Sequence, residues 1–445
     1  MRLLAGRAGW NIADQIVSSG TNFVLSILVA RTLTADGFGN FSVAFTIYTL
    51  LFAAGRALIA QPLVVRYASA HPDGFMAAGR SATAAALLLG IGSGAVTGIA
   101  GVVTGGPLGM SPVCMGFLLP GLLLQDMWRA VFVTQGRPSA AFLNDVLWGV
   151  AQFAALAAVL WSGRESATAV LLAWGGAALL AALVGGLQFG AHPRIRGSVR
   201  WMAEQRDLLG YYAATFALTA TNQVALLLIG AVGTPSDLGA IRAALVVLGP
   251  LSLVTMSLAT FATPEVSRRQ LRGRAALRIA ISLSTVLVVI DLVWGFAVIA
   301  LPDRVGAALL GDSWTNAQAV LPATLLGVVA MAAALGAHVL LWGHGYAREA
   351  FRASAVQAPA FLLLGLGGLL LGNAPGAALG LALAQWVIVP IVWWQAVNRM
   401  RGSAGAGQRP ERDAGTSPPE HEAGTSCARD EVPGRDVAGP VRGTS

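Results

Sequence analysis

Apolar segments about 20 residues long recur along nearly the whole chain, and nothing else in the sequence limits its fold as much. Wound as a helix, such a segment crosses a hydrocarbon core of roughly 30 Å. Twelve are read, over 10–30, 39–63, 81–104, 113–134, 140–161, 166–189, 208–232, 239–263, 277–301, 317–342, 351–372 and 375–398. Only 11% of the 445 residues are charged, too few to coat a soluble body of that size. The first segment is interrupted by Asn11, Asp14 and Gln15 and runs into a second, so a cleavable signal peptide is not expected.

The net charge of +8 comes from 29 basic residues, every one an arginine. Most lie beside apolar segments, as topology signals do, so nucleic acid is not an expected partner. Arg66 and Arg80, Arg137, Arg194 to Arg206, Arg268 to Arg278, and Arg348 and Arg352 fill alternate loops, whereas the intervening loops hold only Arg31, Arg164 and Arg304. The positive-inside rule then places both termini in the cytoplasm. Trp10, Trp128, Trp201, Trp342, Trp161 and Trp314 stand near span ends and read as interfacial anchors. Residues 401–445, rich in Gly, Pro, Ser and charge without apolar periodicity, read as a disordered cytoplasmic tail. Cys114 and Cys427 fall on opposite sides of the membrane, so they are not expected to form a disulfide, and no metal-ligand spacing occurs.

Residues 21–44 align without gaps to residues 221–244, with identities at Thr21/Thr221, Asn22/Asn222, Val24/Val224, Leu28/Leu228, Thr34/Thr234, Gly39/Gly239 and Ala44/Ala244. The constant offset, with six spans in each half, makes the repeats parallel. The expected fold is therefore an all-α integral membrane protein of about 12 transmembrane helices, in two six-helix parallel-repeat lobes around a central cavity. The divisions are 1–190 for the first lobe, 191–206 for a cytoplasmic linker, 207–400 for the second lobe and 401–445 for the tail.

Asn11, Asp14, Gln15, Ser18, Asn22 and Ser26 form a polar stripe at helical spacing, and Tyr211, Thr215, Thr219 and Asn222 form its counterpart. Lipid satisfies none of these groups, so both stripes are expected to face protein or a wet cavity. Arg56 lies in the middle of the second span, where a charge costs about 2.5–3.5 kcal/mol on insertion scales. Two readings stand: an ion pair, with Asp14 as partner, or an anion-binding group lining the cavity, for which a planar guanidinium suits phosphate. Arg242 either lines the cavity or snorkels to the nearer surface. Asp291 is mid-span and either pairs locally or carries protons. Asp126 and Arg129 are spaced to pair along one helix, Asp145 lies near the same surface, and His338 reads as a packing residue. Gly90, Gly94 and Gly98 read as close helix packing.

The stretch WNIADQIVSSGTNFVLSILVARTLTADGFGNFSVAFTIYTLLF, 10–52, resembles the opening of the polysaccharide transporter family, the Wzx-type flippases of the multidrug/oligosaccharidyl-lipid/polysaccharide exporter superfamily. The resemblance rests on Asp14-Gln15, Thr21-Asn22, Ala30-Arg31 and Phe38-Gly39. It implies alternating access in a bacterial plasma membrane, with polyprenyl-diphosphate-linked oligosaccharide as cargo and no cofactor. It also implies polysaccharide polymerase and glycosyltransferases as partners, besides membrane lipids. Arg56, with Asn22, Asn222 and Arg242, would face the cargo, and Asp14 and Asp291 are the candidate ion couplers. A multidrug or cation antiporter of the same superfamily is the competing reading, and would need cavity acids such as Asp14. A membrane polymerase or ligase would need catalytic groups in an outer loop. The longest such loop, roughly 302–316, offers only Asp303, Arg304 and Asp312.

Overall fold

Runs of Ala, Leu, Val and Gly without charge leave the backbone to satisfy itself, and the chain does so as helix after helix. The computed structural model describes residues 20–67, 71–269 and 273–406. In chain order the helices are α1 (20–32), α2 (Ala35–Tyr67), α3 (Pro72–Thr104), α4 (Gly106–Thr134), α5 (Pro138–Trp161), α6 (Ala167–Phe189), α7 (Ile195–Glu204), α8 (Arg206–Val232), α9 (Pro235–Val247), α10 (Gly249–Arg269), α11 (Gly273–Ile299), α12 (Asp303–Leu310), α13 (Ser313–Gly343) and α14 (Ala347–Ala406).

Among the described residues, eight helices are long and apolar enough to cross a membrane, or ten if the bent pairs are each one span. One bent pair is α8, which turns by 42° between Leu218 and Ala220; the other is α9 with α10, at 57°. The expectation of twelve counted two spans that this tally does not. One begins at residue 10, outside the described residues. The other is half of α14, whose stretch Phe351–Arg401 is scored as one helix of 51 residues. That stretch doubles back at Gly372 and Asn373, where Asn373 takes φ 49°. Its two limbs are so close that a Cβ on Gly368 would lie 2.1 Å from the Gly376 carbonyl oxygen, and one on Gly380 1.9 Å from that of Leu364.

The same small-residue logic joins α3 to α4. A Cβ on Gly90 would meet Pro120, and one on Gly94 the Gly116 carbonyl oxygen at 2.3 Å. A Cβ on Gly98 meets nothing itself, and the glycine serves instead as a flat surface for Gly116.

The aligned stretches of the two halves are structurally equivalent. Thr34 caps α2 by accepting from the Gly37 amide at 3.2 Å, and Thr234 caps α9 by accepting from the Asp237 amide at 3.2 Å. Gly39 and Gly239 then meet where α2 crosses α9, with a Cβ on Gly39 falling 2.4 Å from the Pro235 carbonyl oxygen. Residue identities 200 positions apart thus sit on one helix crossing.

Several anchors differ from expectation. Trp161 and Trp342 are exposed, at 95% and 47%. Trp128, Trp201 and Trp314 are buried: Trp128 against Phe132 and Phe189, Trp314 against Gly306 with its Nε1 donating to Asp303 Oδ1 at 3.2 Å. Trp128 fits a notch left by Gly185 of a neighbouring helix, and Trp314 one left by Gly306. Helix α14 continues to Ala406, past the expected start of the tail at 401; the rest of the tail, with Cys427, lies outside the described residues, as does Trp10. Cys114 is a buried free thiol.

Candidate functional site

Helix α2 runs along the contact between the halves, packing on α8 and α9, and its sequence spaces aromatic residues for one face: Phe38, Phe41, Phe45, Tyr48 and Phe52. Their rings form a continuous stack, Phe45 to Tyr48 at 5.8 Å and Tyr48 to Phe52 at 5.6 Å, backed by Trp174 at 5.5 Å from Phe45 and 4.9 Å from Tyr48. A guanidinium lies over each end of this three-ring stretch. Arg242 covers Phe45 at 4.9 Å and Arg56 covers Phe52 at 5.3 Å, each a cation–π contact of roughly 0.5–2 kcal/mol. The spacing of these rings is legible in the sequence; the reading above followed polar positions only and missed it.

Arg56 opens a π-helical stretch, Arg56–Ala60, inside α2. The cause is local. Pro62 has no amide hydrogen, and its ring displaces the carbonyl four residues back. The turn before it widens, and the Gln61 amide bonds to the Arg56 carbonyl. The Arg56 side chain is 47% exposed, and its nearest carboxylate oxygen, on Asp126 of α4, stands at 4.0 Å. That is a loose pair; Asp14, the partner expected from the sequence, lies outside the described residues with Asn11, Gln15 and Ser18.

Asp126 begins a buried polar network in the first half. Arg129 Nε reaches Asp145 Oδ2 at 3.5 Å on the next helix, with both side chains nearly covered. Gln125 Nε2 donates to Asp145 Oδ1 at 2.8 Å and to Asn144 Oδ1 at 3.3 Å. Asn144 in turn donates to the Ala181 carbonyl at 2.9 Å. Arg129 thus links its own helix to the next through Asp145, and Asp126, expected to pair with Arg129 along one helix, lies within its electrostatic reach. Arg129 and Asp145, both nearly covered, carry opposite charges, so this pair adds no net buried charge.

Arg242 does not snorkel. It reaches from α9 across to α2, donating through Nη2 at 2.8 Å and Nε at 3.2 Å to Thr46 Oγ1. Thr46 is completely buried and passes its own hydroxyl hydrogen to the Ser42 carbonyl at 2.7 Å. Among the described residues no carboxylate lies within 4.0 Å of Arg242.

The other predicted residues sit elsewhere. Asn22 lies on α1 with Ser26 Oγ donating to its carbonyl at 2.8 Å. Asn222 lines a cavity of about 110 Å³ shared with Thr324, Met331, Phe361 and Gln385, every wall of which belongs to the second half. Asp291 is 1% exposed on α11, and its Oδ2 has no hydrogen-bond partner among the described residues. It lies between Ser284, which donates to the Ala333 carbonyl at 3.0 Å, and Gly295, packed on Leu325 of α13. His338 is a packing residue, its Nδ1 3.1 Å from the Ala334 carbonyl and its ring on Trp342.

The described contacts at the two ends of α2 differ in kind. Past Gly39, the left-handed Gly311 packs against the Arg31 carbonyl, backbone on backbone. At the other end Arg66 of α2 donates through Nη1 to the Glu204 carbonyl at 2.8 Å and through Nη2 to the Asp207 carboxylate at the start of α8.

This arrangement is an all-helical, two-lobed membrane fold. Solved structures that share it include the following three. The lipid II flippase MurJ in an inward closed conformation aligns with a TM-score of 0.64 at 10% identity, covering 87% of each chain. An inward-facing multidrug resistance MATE family transporter of the MOP superfamily aligns at 0.62 and 13% identity, covering 90% of this chain and 99% of that one. The eukaryotic MATE transporter AtDTX14 aligns at 0.58 and 14%, covering 91% and 99%. By sequence the chain matches no family profile and no curated protein.

Proposed function

We propose that the protein is a flippase or exporter that carries a polyprenyl-diphosphate-linked oligosaccharide from the inner to the outer leaflet of a bacterial plasma membrane by alternating access, supplying cell-surface polysaccharide synthesis. The observation that carries this reading is the pair of arginines on α2 and α9. Arg242 has no carboxylate within 4.0 Å among the described residues, and Arg56 is half exposed beside one at 4.0 Å. In this reading the two guanidiniums attract an anionic headgroup, and the aromatic rings between them stack with sugar rings. Outward movement of an anion is favoured by about 2.3 kcal/mol per charge per 100 mV of inside-negative potential. The likeness to a lipid II flippase supports a lipid-linked cargo. In this reading both termini and the Arg66 end face the cytoplasm, residues 1–190 and 207–400 are the moving lobes, and polymerase and glycosyltransferases act before and after.

A multidrug antiporter is the second reading, favoured by the buried carboxylates Asp126 and Asp145 and by the MATE likenesses. Transbilayer movement of a fluorescent polyprenyl-diphosphate oligosaccharide in liposomes tests both. Flipping should collapse in Arg56→Ala and in Arg242→Ala and partly survive in Arg56→Lys. Undiminished flipping in both alanine variants removes the arginines from the cargo site. Absence of flipping together with export of a cationic dye selects the antiporter.

Asp14 and Asp291 are the proposed couplers if a proton or sodium gradient drives the cycle. An Asp→Asn change at the coupling position should abolish ion dependence, and unchanged dependence rejects that position.

A further inference from the structure

Helix α7, Ile195–Glu204, joins the two halves, and it has three distinct faces. At 100° per residue, Ser198 and Trp201 share one side, and both are buried, the helix lying against α3. Ile195 and Val199 form a second stripe, 53% and 72% exposed, with Ala203 continuing it. Arg196 and Arg200 form a third, adjacent stripe, and the Arg200 side chain is 87% exposed. A soluble surface has no reason to set bare Ile and Val along one edge of such a helix. A helix lying in a membrane interface has: the apolar edge enters the acyl boundary while the basic edge meets head groups.

The charge around this helix is unbalanced. Arg200 Nε reaches Glu204 Oε1 at 3.1 Å, and Arg66 holds Asp207. These carboxylates lie in a shallow, open surface depression at the α7–α8 junction, lined also by Arg66, Arg200 and Arg206. Arg194, Arg196 and Arg206 have no carboxylate within 4.0 Å among the described residues, and all three are exposed. Arg80 adds its Nε–H to the His192 carbonyl at 3.2 Å, which fixes the approach to the helix.

We propose that α7 and the arginine-lined depression at its end form a binding site for the phosphate of an anionic phospholipid in the adjacent leaflet, with Arg196, Arg200 and Arg206 as its cationic partners and Ile195 and Val199 beside its acyl chains. The site is separate from the aromatic stretch and the arginines at its ends, and it does not depend on what cargo is carried. It places a lipid headgroup beside the Arg66–Asp207 contact that ties α2 to α8.

Native mass spectrometry of the full chain, released from micelles with phosphatidylglycerol or phosphatidylcholine added, tests the site. Phosphatidylglycerol should be retained in clear preference. Near a membrane surface each arginine is worth about five- to sixfold, so Arg196→Gln with Arg200→Gln should reduce that preference about 30-fold. Arg164→Gln with Arg304→Gln, at the other end of the spans, should leave it unchanged, and thermal unfolding of both variants confirms that they fold. Equal retention of the two lipids by the native chain overturns the proposal, as does a preference that survives Arg196→Gln with Arg200→Gln or falls equally in both variants. Displacement of the lipid by millimolar inorganic phosphate overturns it in favour of a soluble anion. A dimer that disappears on changing Arg196 and Arg200 overturns it in favour of a second copy.

Discussion

Gly39 and Gly239 touch each other across the junction of the two halves: a Cβ on Gly239 would lie 3.0 Å from the Gly39 Cα, and one on Gly39 2.4 Å from the Pro235 carbonyl oxygen. The neighbour on each side is backbone, which cannot rotate aside. Gly39→Ala should therefore lower stability by about 1–3 kcal/mol, the usual cost of overpacking. Gly92→Ala, on α3 with nothing within 4 Å, should stay within about 1 kcal/mol of the native chain. Thermal unfolding in detergent compares the two, and equal effects would show that the crossing is not tight.

Arg242 and Thr46 should be energetically coupled. Thr46→Val removes the only acceptor that the described residues give Arg242, at a cost of about 1.5–3 kcal/mol for a hydrogen bond to a charged group. Arg242→Met should cost less in the Thr46→Val background than alone. A double-mutant cycle on unfolding free energy checks this, and an interaction energy near zero would contradict it.

The two ion pairs of the first half should differ in worth. Asp145 faces Arg129, accepts from Gln125 and has a side chain only 3% exposed, so Asp145→Ala breaks a buried ion pair and a buried hydrogen bond and should cost about 3–5 kcal/mol. Arg56 is 47% exposed and 4.0 Å from Asp126, so Asp126→Asn should cost about 1 kcal/mol or less. Melting temperatures of the two variants should rank accordingly, and the reverse order would mean that Asp126 anchors the network.

Asp291 presents an unpartnered Oδ2 in a buried setting. Asp291→Asn keeps the shape and removes the possibility of a buried charge, so stability should be unchanged or higher. A marked loss, measured by thermal unfolding, would reveal a charge-dependent partner.

Much of this architecture was readable beforehand, for reasons that particular residues make plain. Apolar length alone announces membrane helices. The Thr34/Thr234 and Gly39/Gly239 identities announce a repeat, because a cap and a helix crossing each demand one residue type at one place. The Arg129–Asp145 link was not readable, since two helices must first be juxtaposed and the sequence shows only the nearer Asp126. Nor was the burial of Trp128, which depends on a glycine at position 185 of another helix. Arg56 was legible as an anomaly, but the π-helical turn that starts at it required knowing how Pro62 is accommodated. Asn222 kept its polarity in the sequence while its setting, a cavity within one half, came only from the packing of α8, α9, α13 and α14.

The Arg66–Asp207 contact has a mechanical consequence. Its side chains are 33% and 61% exposed, and a pair that wet is worth about 0–1 kcal/mol, comparable with thermal energy. Of the contacts that part when α2 leaves α8 at that end, the ones to Arg66 are wet and exchange readily with water. Separating the glycines at the opposite end would instead unpack backbone from backbone. Motion between the halves should thus swing about a pivot at Gly39 and Gly239 with its free travel at Arg66, so that small changes in what the arginine grips are geared into large displacements of the lever arms it joins.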